Sequence, residues 1–432
     1  MKLELQTTVL PNGLSILTCA MPHTYSVGVG FYLSVGSRYE ARDIAGAAHF
    51  AEHMIFKGTA RRPAPDIIAR EIEGRGGMFN ASTGQEMTVL WAKMQKQHLA
   101  VAVDVMADML RNSLLADVEI EKERRVILEE LLSSRDIPEE LVGLLAQDMT
   151  WPDHPLGWDV AGTPESVAGI SEEALRSFLG RHYGPQNIVL SIAGDVDHQQ
   201  AVALADALLG DWQPAPRLAC SPAPVNGAAT RAVVIHKKTE QSHFSLNLPG
   251  LRQTDPDRFA LRLLNVILGE GMSSRLFMEI RENLGLAYTV ESYASSLTDT
   301  GVVGVYAAVA PGTLTEALRA IIEQLVRLRS EPVDDVTLAE AREYLKGRML
   351  MGLEDTLSVA GWFGRQHALG QEILTIEEVV RRLEAVISDD LQRVAGRIFT
   401  DAGARLAVVG PHRKTEATKL ASLVRKGLAE PA

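Results

Sequence analysis

The sequence predicts an α+β protein made of two homologous domains, and three observations carry that expectation. At 432 residues the chain is longer than one hydrophobic core ordinarily organises, so it should divide. A helix-to-strand segment near residues 170–194 reappears in kind near 387–410, an offset of about 215 residues that is too long for a solenoid repeat and indicates two copies of one domain. Each copy mixes hairpin-like strands with blocks of helix, which reads as a mainly antiparallel sheet with helices packed on one face.

The elements follow in order. Residues 1–10 alternate as a strand does, Pro11-Asn12-Gly13 supplies a turn, and a further strand is expected over 26–35. Ala47-Ala48-His49-Phe50-Ala51-Glu52-His53-Met54-Ile55 is an apolar helix with Gly58 behind it, and residues 66–73 form a second helix closed by Gly74. Gly76-Gly77-Met78-Phe79-Asn80-Ala81-Ser82-Thr83, on its residues alone, is an ordinary hairpin leading into 87–93. The stretch from Asp117 to Leu132 has a capping Asp117, acids in its first turn, and an apolar side to which Val126, Ile127 and Leu131 contribute. Ile170-Ser171-Glu172-Glu173-Ala174-Leu175 leads a helix into a strand at 188–194, and Ile387-Ser388-Asp389-Asp390-Leu391 does the same for 405–410. Leu156-Gly157 with Thr163 likewise has a partner in Leu369-Gly370 with Thr375. The stretch from Trp212 to Gly227 is rich in Pro and small residues, as linkers are. The expected division is therefore 1–211, a linker at 212–229, and 230–432.

Composition frames the function. With 46% hydrophobic and 23% charged residues the chain reads as globular. A net charge of −12 argues against a nucleic-acid binder, which needs a concentrated basic surface that the sequence does not show. No run of about 18 apolar residues suggests a membrane span, and the amino terminus lacks the apolar core of a signal peptide. Cys19 and Cys220 are the only cysteines, which fits a cytoplasmic location, and neither has ligand spacing.

His49, Glu52 and His53 form an H-x-x-E-H pattern. Positions four apart share one face of a helix, so the two imidazoles converge, and Glu52 lies one turn from His49. The bland alternative is a pair of core histidines, but a helix so apolar is buried, and unsatisfied polar groups there cost about 1–3 kcal/mol each. A metal is the better reading. A catalytic zinc site takes a third protein ligand and leaves a position for water. In the acidic helix Glu123 and Glu130 are two turns apart on one face, while Glu129 points about 100° away and reads as a surface acid. Spacing alone leaves Glu130 and Glu129 both open.

The order H-x-x-E-H followed by Glu130 within E-R-x-V-I-L-x-E resembles the pitrilysin (M16) family of zinc metallopeptidases, in particular the subfamily of the mitochondrial processing peptidase β subunit and its bacterial relatives. The resemblance runs from about Thr7 to Pro411. It implies that His49, His53 and Glu130 bind one zinc ion (Zn2+) per chain, that Glu52 is the general base, and that Glu123 orients a histidine ligand. It implies that Gly77, Phe79, Asn80 and Ala81 belong to an edge strand that pairs with the substrate, the two glycines letting another backbone approach. Arg281-Glu282-Asn283-Leu284-Gly285-Leu286-Ala287-Tyr288 is similar to a second signature, in which Arg281 and Tyr288 contact the substrate and Tyr288 stabilises the oxyanion; Asn283-Leu284 stands where relatives often carry two basic residues. Unaided, Arg281 reads as a surface helix residue and Tyr288 as a strand aromatic.

The resemblance further implies two sandwich domains facing each other around a cleft and a zinc endopeptidase acting on extended peptides or unfolded segments. It also suggests a homodimer, with Arg281 and Tyr288 serving the partner's zinc. The alternative is a catalytically silent processing or assembly subunit of the same family, which loss of zinc ligands would mark. His154 and the remaining histidines, His243 among them, show no ligand spacing and are expected to have structural roles.

Overall fold

Strands β1 (Leu5–Val9) and β2 (Ser15–Ala20) pair antiparallel across the expected turn, where Gly13 takes φ 93° and Asn12 Nδ2 donates to Leu209 O at 2.7 Å. The computed structural model describes residues 3–215, 219–224, 229 and 231–429. The linker expected at 212–229 lies partly outside the described residues.

The first half adds β3 (Ser26–Leu33), β4 (Met78–Thr83), β5 (Thr88–Gln95) and β6 (Ile188–Gly194), with helices α1 (Ala47–Ile55), α2 (Pro65–Glu73), α3 (Leu99–Asn112), α4 (Asp117–Asp136), α5 (Pro138–Thr150), α6 (Pro164–Gly169), α7 (Glu172–His182) and α8 (His198–Leu209). The second half contains β7 (Arg231–His236), β8 (Ser242–Pro249), α9 (Arg258–Gly269), β9 (Ala287–Ser296), β10 (Gly301–Val309), α10 (Leu314–Ser330), α11 (Asp335–Gly352), α12 (Thr356–Ala368), α13 (Ile376–Glu384), α14 (Ser388–Ile398), β11 (Arg405–Gly410) and α15 (Ala417–Ala429).

The six-stranded sheet has the order β1-β2-β6-β3-β5-β4, and the five-stranded sheet the order β7-β11-β8-β10-β9. In each, one pair is parallel, β2 with β6 and β11 with β7, and the remaining pairs are antiparallel. Aligning the parallel pairs matches β7 to β2, β11 to β6, β8 to β3, β10 to β5 and β9 to β4, so the duplication extends to the connectivity. Among the described residues no helix is long and apolar enough to cross a membrane.

The alternation of the strands decides the packing. Ile16, Val27, Val29, Phe31, Leu33, Leu90, Ala92, Leu190 and Ile192 point to the face that carries α1, α2, α3, α4, α7 and α8. Leu17, Cys19, Tyr32, Val89, Val189 and Ala193 point the other way, and that face is apolar too. It is covered by one helix, α12, through Val359, Ala360 and Phe363. Contact is close: a Cβ on Gly28 would lie 2.5 Å from Leu357 N, while Ser191 Oγ donates to Ala360 O at 2.8 Å. On the second sheet Ala407, Val409, Tyr306 and Ala308 meet Val142 and Ala146 of α5.

The compact units are therefore interleaved along the chain. One comprises Met1–Leu131, Asp159–Ser221 and Met349–Thr375, the other Leu132–Trp158, Pro222–Arg348 and Ile376–Ala432. This differs from the linear division at 211 and 230, which leaves 132–158 in the first domain and 349–375 in the second. Helical periodicity shows that α5 and α12 have an apolar face, and it does not say which sheet receives it.

Phe363→Ala, at a side chain 1% exposed, is expected to destabilise the protein by about 3–5 kcal/mol in denaturant unfolding. Hydrogen exchange should quicken in β3 and β6, although both lie far from Phe363 in sequence. Unchanged protection there would show that α12 does not support the first sheet.

Candidate metal centre

Helix α1 starts where Gly46 takes φ 95°, and the buried carboxylate of Glu40 caps it by accepting from Gly46 N and Ala48 N, each at 2.7 Å. Burial pushes the Glu40 carboxyl up to about 8, against the pull of these two donors. Ala47, Ala48, Phe50, Ala51, Met54 and Ile55 are all fully buried. The same helical period that sinks them turns His49, Glu52 and His53 onto a half-buried stripe.

His49 Nε2 and His53 Nε2 lie 3.3 Å apart, with ring centroids 4.6 Å apart and planes at 72°. Glu130 Oε2 is 3.6 Å from His53 Nε2 and 3.9 Å from His49 Nε2. The three ligand atoms form the one such group among the described residues, and neither cysteine belongs to it. A tetrahedral zinc with bonds of about 2.0–2.1 Å spaces its ligand atoms by about 3.3 Å, so the triangle fits that ion with small closure at Glu130. Helix α4 supplies the acid because Ile120, Ile127 and Leu131 bury its apolar side, leaving Glu130 47% exposed at the centre. Of the two neighbouring acids, Glu130 is the one whose carboxylate lies beside both rings. Val126 is a correction: it is 43% exposed, and the buried side of α4 runs through Ile120, Glu123 and Ile127 instead.

The donor set has the protonation a cation requires. Glu123 Oε2 lies 3.0 Å from His53 Nδ1 and Oε1 lies 2.7 Å from Lys57 Nζ. Burial raises the Glu123 carboxyl, but Lys57 and His53 outweigh it and hold it below the ordinary carboxylate value. An ionised carboxylate only accepts, so His53 Nδ1 donates to Glu123, and in the neutral ring Nε2 is then the acceptor. Burial, and then the neighbouring His53, lowers His49 to about 4, which keeps that ring neutral. His49 Nδ1 is buried without a hydrogen-bond partner among the described residues. A core histidine held by ordinary hydrogen bonds would not leave that nitrogen unpaired while its other nitrogen faces a lone pair and a carboxylate. These residues fit a divalent metal.

Glu52 stands apart from the ligand triangle. Its Oε2 accepts the hydroxyl of Thr83, and burial leads the influences that raise its carboxyl, with Thr83 and His53 opposing and Glu130 reinforcing. A raised carboxyl is suited to accept and return a proton.

Strand β4 forms an edge of the first sheet, paired with β5. Met78, Asn80 and Ser82 point outward, whereas Phe79, Ala81 and Thr83 are half-buried, Phe79 resting on Phe56 with centroids 5.5 Å apart. The ordinary hairpin and the exposed edge are thus the same element. Gly77 has an internal cause, since a Cβ there would meet Met94 Cγ at 2.7 Å and Ile72 O at 3.0 Å.

Arg281 and Tyr288 form a second group, in the other unit. Arg281 lies on the π-helical turn Phe277–Asn283, and its guanidinium carbon is 4.4 Å from the centre of the Tyr288 ring and 4.7 Å from that of Phe277. Its Nη1 donates to Tyr288 O at 3.1 Å. Tyr288 is 74% exposed on β9, an edge of the second sheet. Of the other histidines, His154 Nδ1 accepts from Leu156 N, and His243 Nδ1 lies 2.9 Å from the Tyr306 hydroxyl. Sequence reasoning missed Lys57 and Thr83. Lys57, four residues past His53, was accessible to the same helical spacing that linked the histidines.

Residues 15–164 match the sequence model of the insulinase family, peptidase family M16, and residues 169–345 match the M16 inactive-domain model. An "uncharacterized zinc protease" of Streptomyces coelicolor is 37% identical over 421 residues, covering 96% of this chain and 91% of its own length. The chain belongs to peptidase family M16. Another relative, from Rickettsia felis and also named a zinc protease, is 34% identical over 413 residues, with 95% of this chain and 99% of that protein covered. A protease from Helicobacter pylori of known structure shares the fold, with a TM-score of 0.89, 24% identity, and coverage of 95% of this chain and 100% of that one. The family's inactive-domain model begins in the first half and extends through much of the second, where no second H-x-x-E-H occurs.

The lowered His49 has a consequence for the metal-free protein. Between its ordinary value of 6.5 and about 4 the unfolded chain binds a proton that the folded chain refuses, so stability falls as pH drops through that window. The loss amounts to at most about 3 kcal/mol. Denaturant unfolding of chelator-treated protein at pH 7.5 and pH 4.5 should show this loss in wild type and a smaller one in His49→Gln. Equal losses in both proteins would exclude His49 as the source.

Proposed function

We propose that this chain is a zinc-dependent endopeptidase cleaving extended peptides or unfolded segments. The observation that carries the reading is the triangle of His49 Nε2, His53 Nε2 and Glu130 Oε2 with Glu52 beside it on α1 and outside the ligand set. His49, His53 and Glu130 would hold one zinc ion per chain, which when bound supplies Lewis-acid activation of water and of a peptide carbonyl at neutral pH. Glu52 takes the proton of the attacking water and returns it to the leaving amine. Glu123 keeps His53 in the tautomer that presents Nε2 inward, and Lys57 keeps Glu123 an acceptor. Tyr288 donates to the developing oxyanion, with Arg281 beside it at the substrate.

The peptide adds as a strand to β4 along Gly77, Phe79, Asn80 and Ala81, so backbone hydrogen bonds supply most of the recognition and sequence selectivity is loose. The working form is a cytoplasmic homodimer in which Arg281 and Tyr288 of one subunit serve the zinc of the other. A silent processing or assembly subunit is the less favoured reading, because the ligand set, the base and the Arg281–Tyr288 pair are all present in one chain.

Glu52→Gln should retain stoichiometric zinc and lose peptidase activity by about 10²–10⁴-fold. His49→Ala, His53→Ala and Glu130→Ala should lose the metal itself. Metal analysis beside a fluorogenic-peptide assay checks both, and zinc-free Glu52→Gln with zinc-loaded Glu130→Ala would reverse the assigned roles.

Mixing Glu52→Gln with Arg281→Ala under subunit exchange should restore activity, because one mixed-dimer site is intact if the pair acts in trans. No recovery despite demonstrated exchange would assign Arg281 and Tyr288 to their own subunit's zinc.

A further inference from the structure

Thr83 is the last residue of β4, and its hydroxyl donates to Glu52 Oε2. A threonine hydroxyl has a single proton, so the direction of this bond depends on what else surrounds it. Thr88 stands opposite Thr83 in the β4–β5 ladder, with the two hydroxyl oxygens 3.5 Å apart. Thr88 directs its own proton to Val35 O at 3.0 Å. It therefore leaves the Thr83 proton to Glu52. A second contact joins the same two elements, since Phe79, earlier in β4, packs on Phe56, one turn beyond Glu52. The edge strand and the metal helix are thus joined at both ends of the strand.

We propose that Thr83 is a positioning residue for the general base, one that ties the Glu52 carboxylate to the strand on which the peptide is laid down. The proposal rests on the peptidase reading above. The terminal torsion of a glutamate is broad and soft, so an unanchored carboxylate samples many planes. With Oε2 engaged by Thr83 the plane is fixed and Oε1 is left to exchange the reaction's proton. Because the donor belongs to β4, a peptide paired with β4 and the base that serves its scissile bond share one support. Orientation of this kind acts on turnover and leaves ground-state peptide binding and metal ligation unaffected.

The test compares Thr83→Val, which removes the donor at nearly constant volume, with Thr83→Ser, which keeps it. Each is measured for kcat and KM on an extended peptide, for zinc content, and for thermal midpoint. Thr83→Val should lower kcat by about 10–100-fold with KM and zinc content within about twofold of wild type, and Thr83→Ser should recover most of that loss. Placed in a Glu52→Gln background, Thr83→Val should cost no further turnover, as expected of two groups acting as one unit. If Thr83→Val folds poorly, Thr83→Ala removes the donor without overpacking and is read in the same way. Full kcat in the variants lacking the donor, equal losses in the serine and valine variants, or a loss of zinc that tracks the loss of kcat would each overturn the role. A zinc-loaded wild type that cleaves no peptide would overturn the peptidase reading and this role with it.

Discussion

Two imidazole nitrogens held 3.3 Å apart on one face of α1, with the Glu130 carboxylate beside them, are the constraint around which the first unit is arranged. With His53 Nδ1 directed to Glu123, its Nε2 faces His49 Nε2, and without a cation one of these two nitrogens can donate to the other. The scaffold imposes this approach. Six fully buried residues of α1 fix the helix against the sheet, Glu40 caps its first turn, and Ile120, Ile127 and Leu131 set α4 so that Glu123 and Glu130 reach the two rings from outside. Packing across the core is what holds these three groups within reach of one another.

The carboxylates around this centre are separated into two kinds by their surroundings. Glu123 is buried, yet the Lys57 ammonium at 2.7 Å and the His53 ring hold it ionised, which suits a fixed acceptor. Glu52 is also partly buried, but its nearest donor is a neutral hydroxyl and Glu130 is close, so its carboxyl rises. Pairs of acids whose environments push their proton affinities apart are how one site obtains both a structural anion and a proton carrier. The difference lies in the partner each carboxylate was given, a cation for Glu123 and threonine for Glu52.

Much of this was legible in the sequence where periodicity alone decides geometry. The i, i+4 histidines, the shared face of Glu123 and Glu130, and the repeated helix-to-strand segments all follow from local repeats of 3.6 and 2 residues. What periodicity lacks is the identity of the opposing surface. It made Val126 part of the apolar side of α4, whereas the helix is rotated to bury Glu123, because that acid is matched by Lys57 and His53. It also gave α5 and α12 to the halves of the chain in which they lie, although each belongs to the compact unit whose sheet comes mainly from the other half. Gly77 had a visible signal and a different cause, the internal contact with Ile72 and Met94.

The duplication explains why the two proposed substrate-facing groups sit on comparable strands. In both sheets the strand before the last hairpin turn, β4 in one and β9 in the other, occupies the edge and pairs on a single side with its neighbour. An edge strand is where a sheet has backbone groups left to offer, and where side chains near the strand ends escape burial. Divergence of the copies then needed no new architecture. In the first copy the edge ends on Thr83, whose hydroxyl donates to Glu52, and in the second it carries the exposed Tyr288 ring stacked on Arg281. The H-x-x-E-H pattern itself occurs in only the first copy, so the two edges share their place in the sheet while the helix beside each has taken a different sequence.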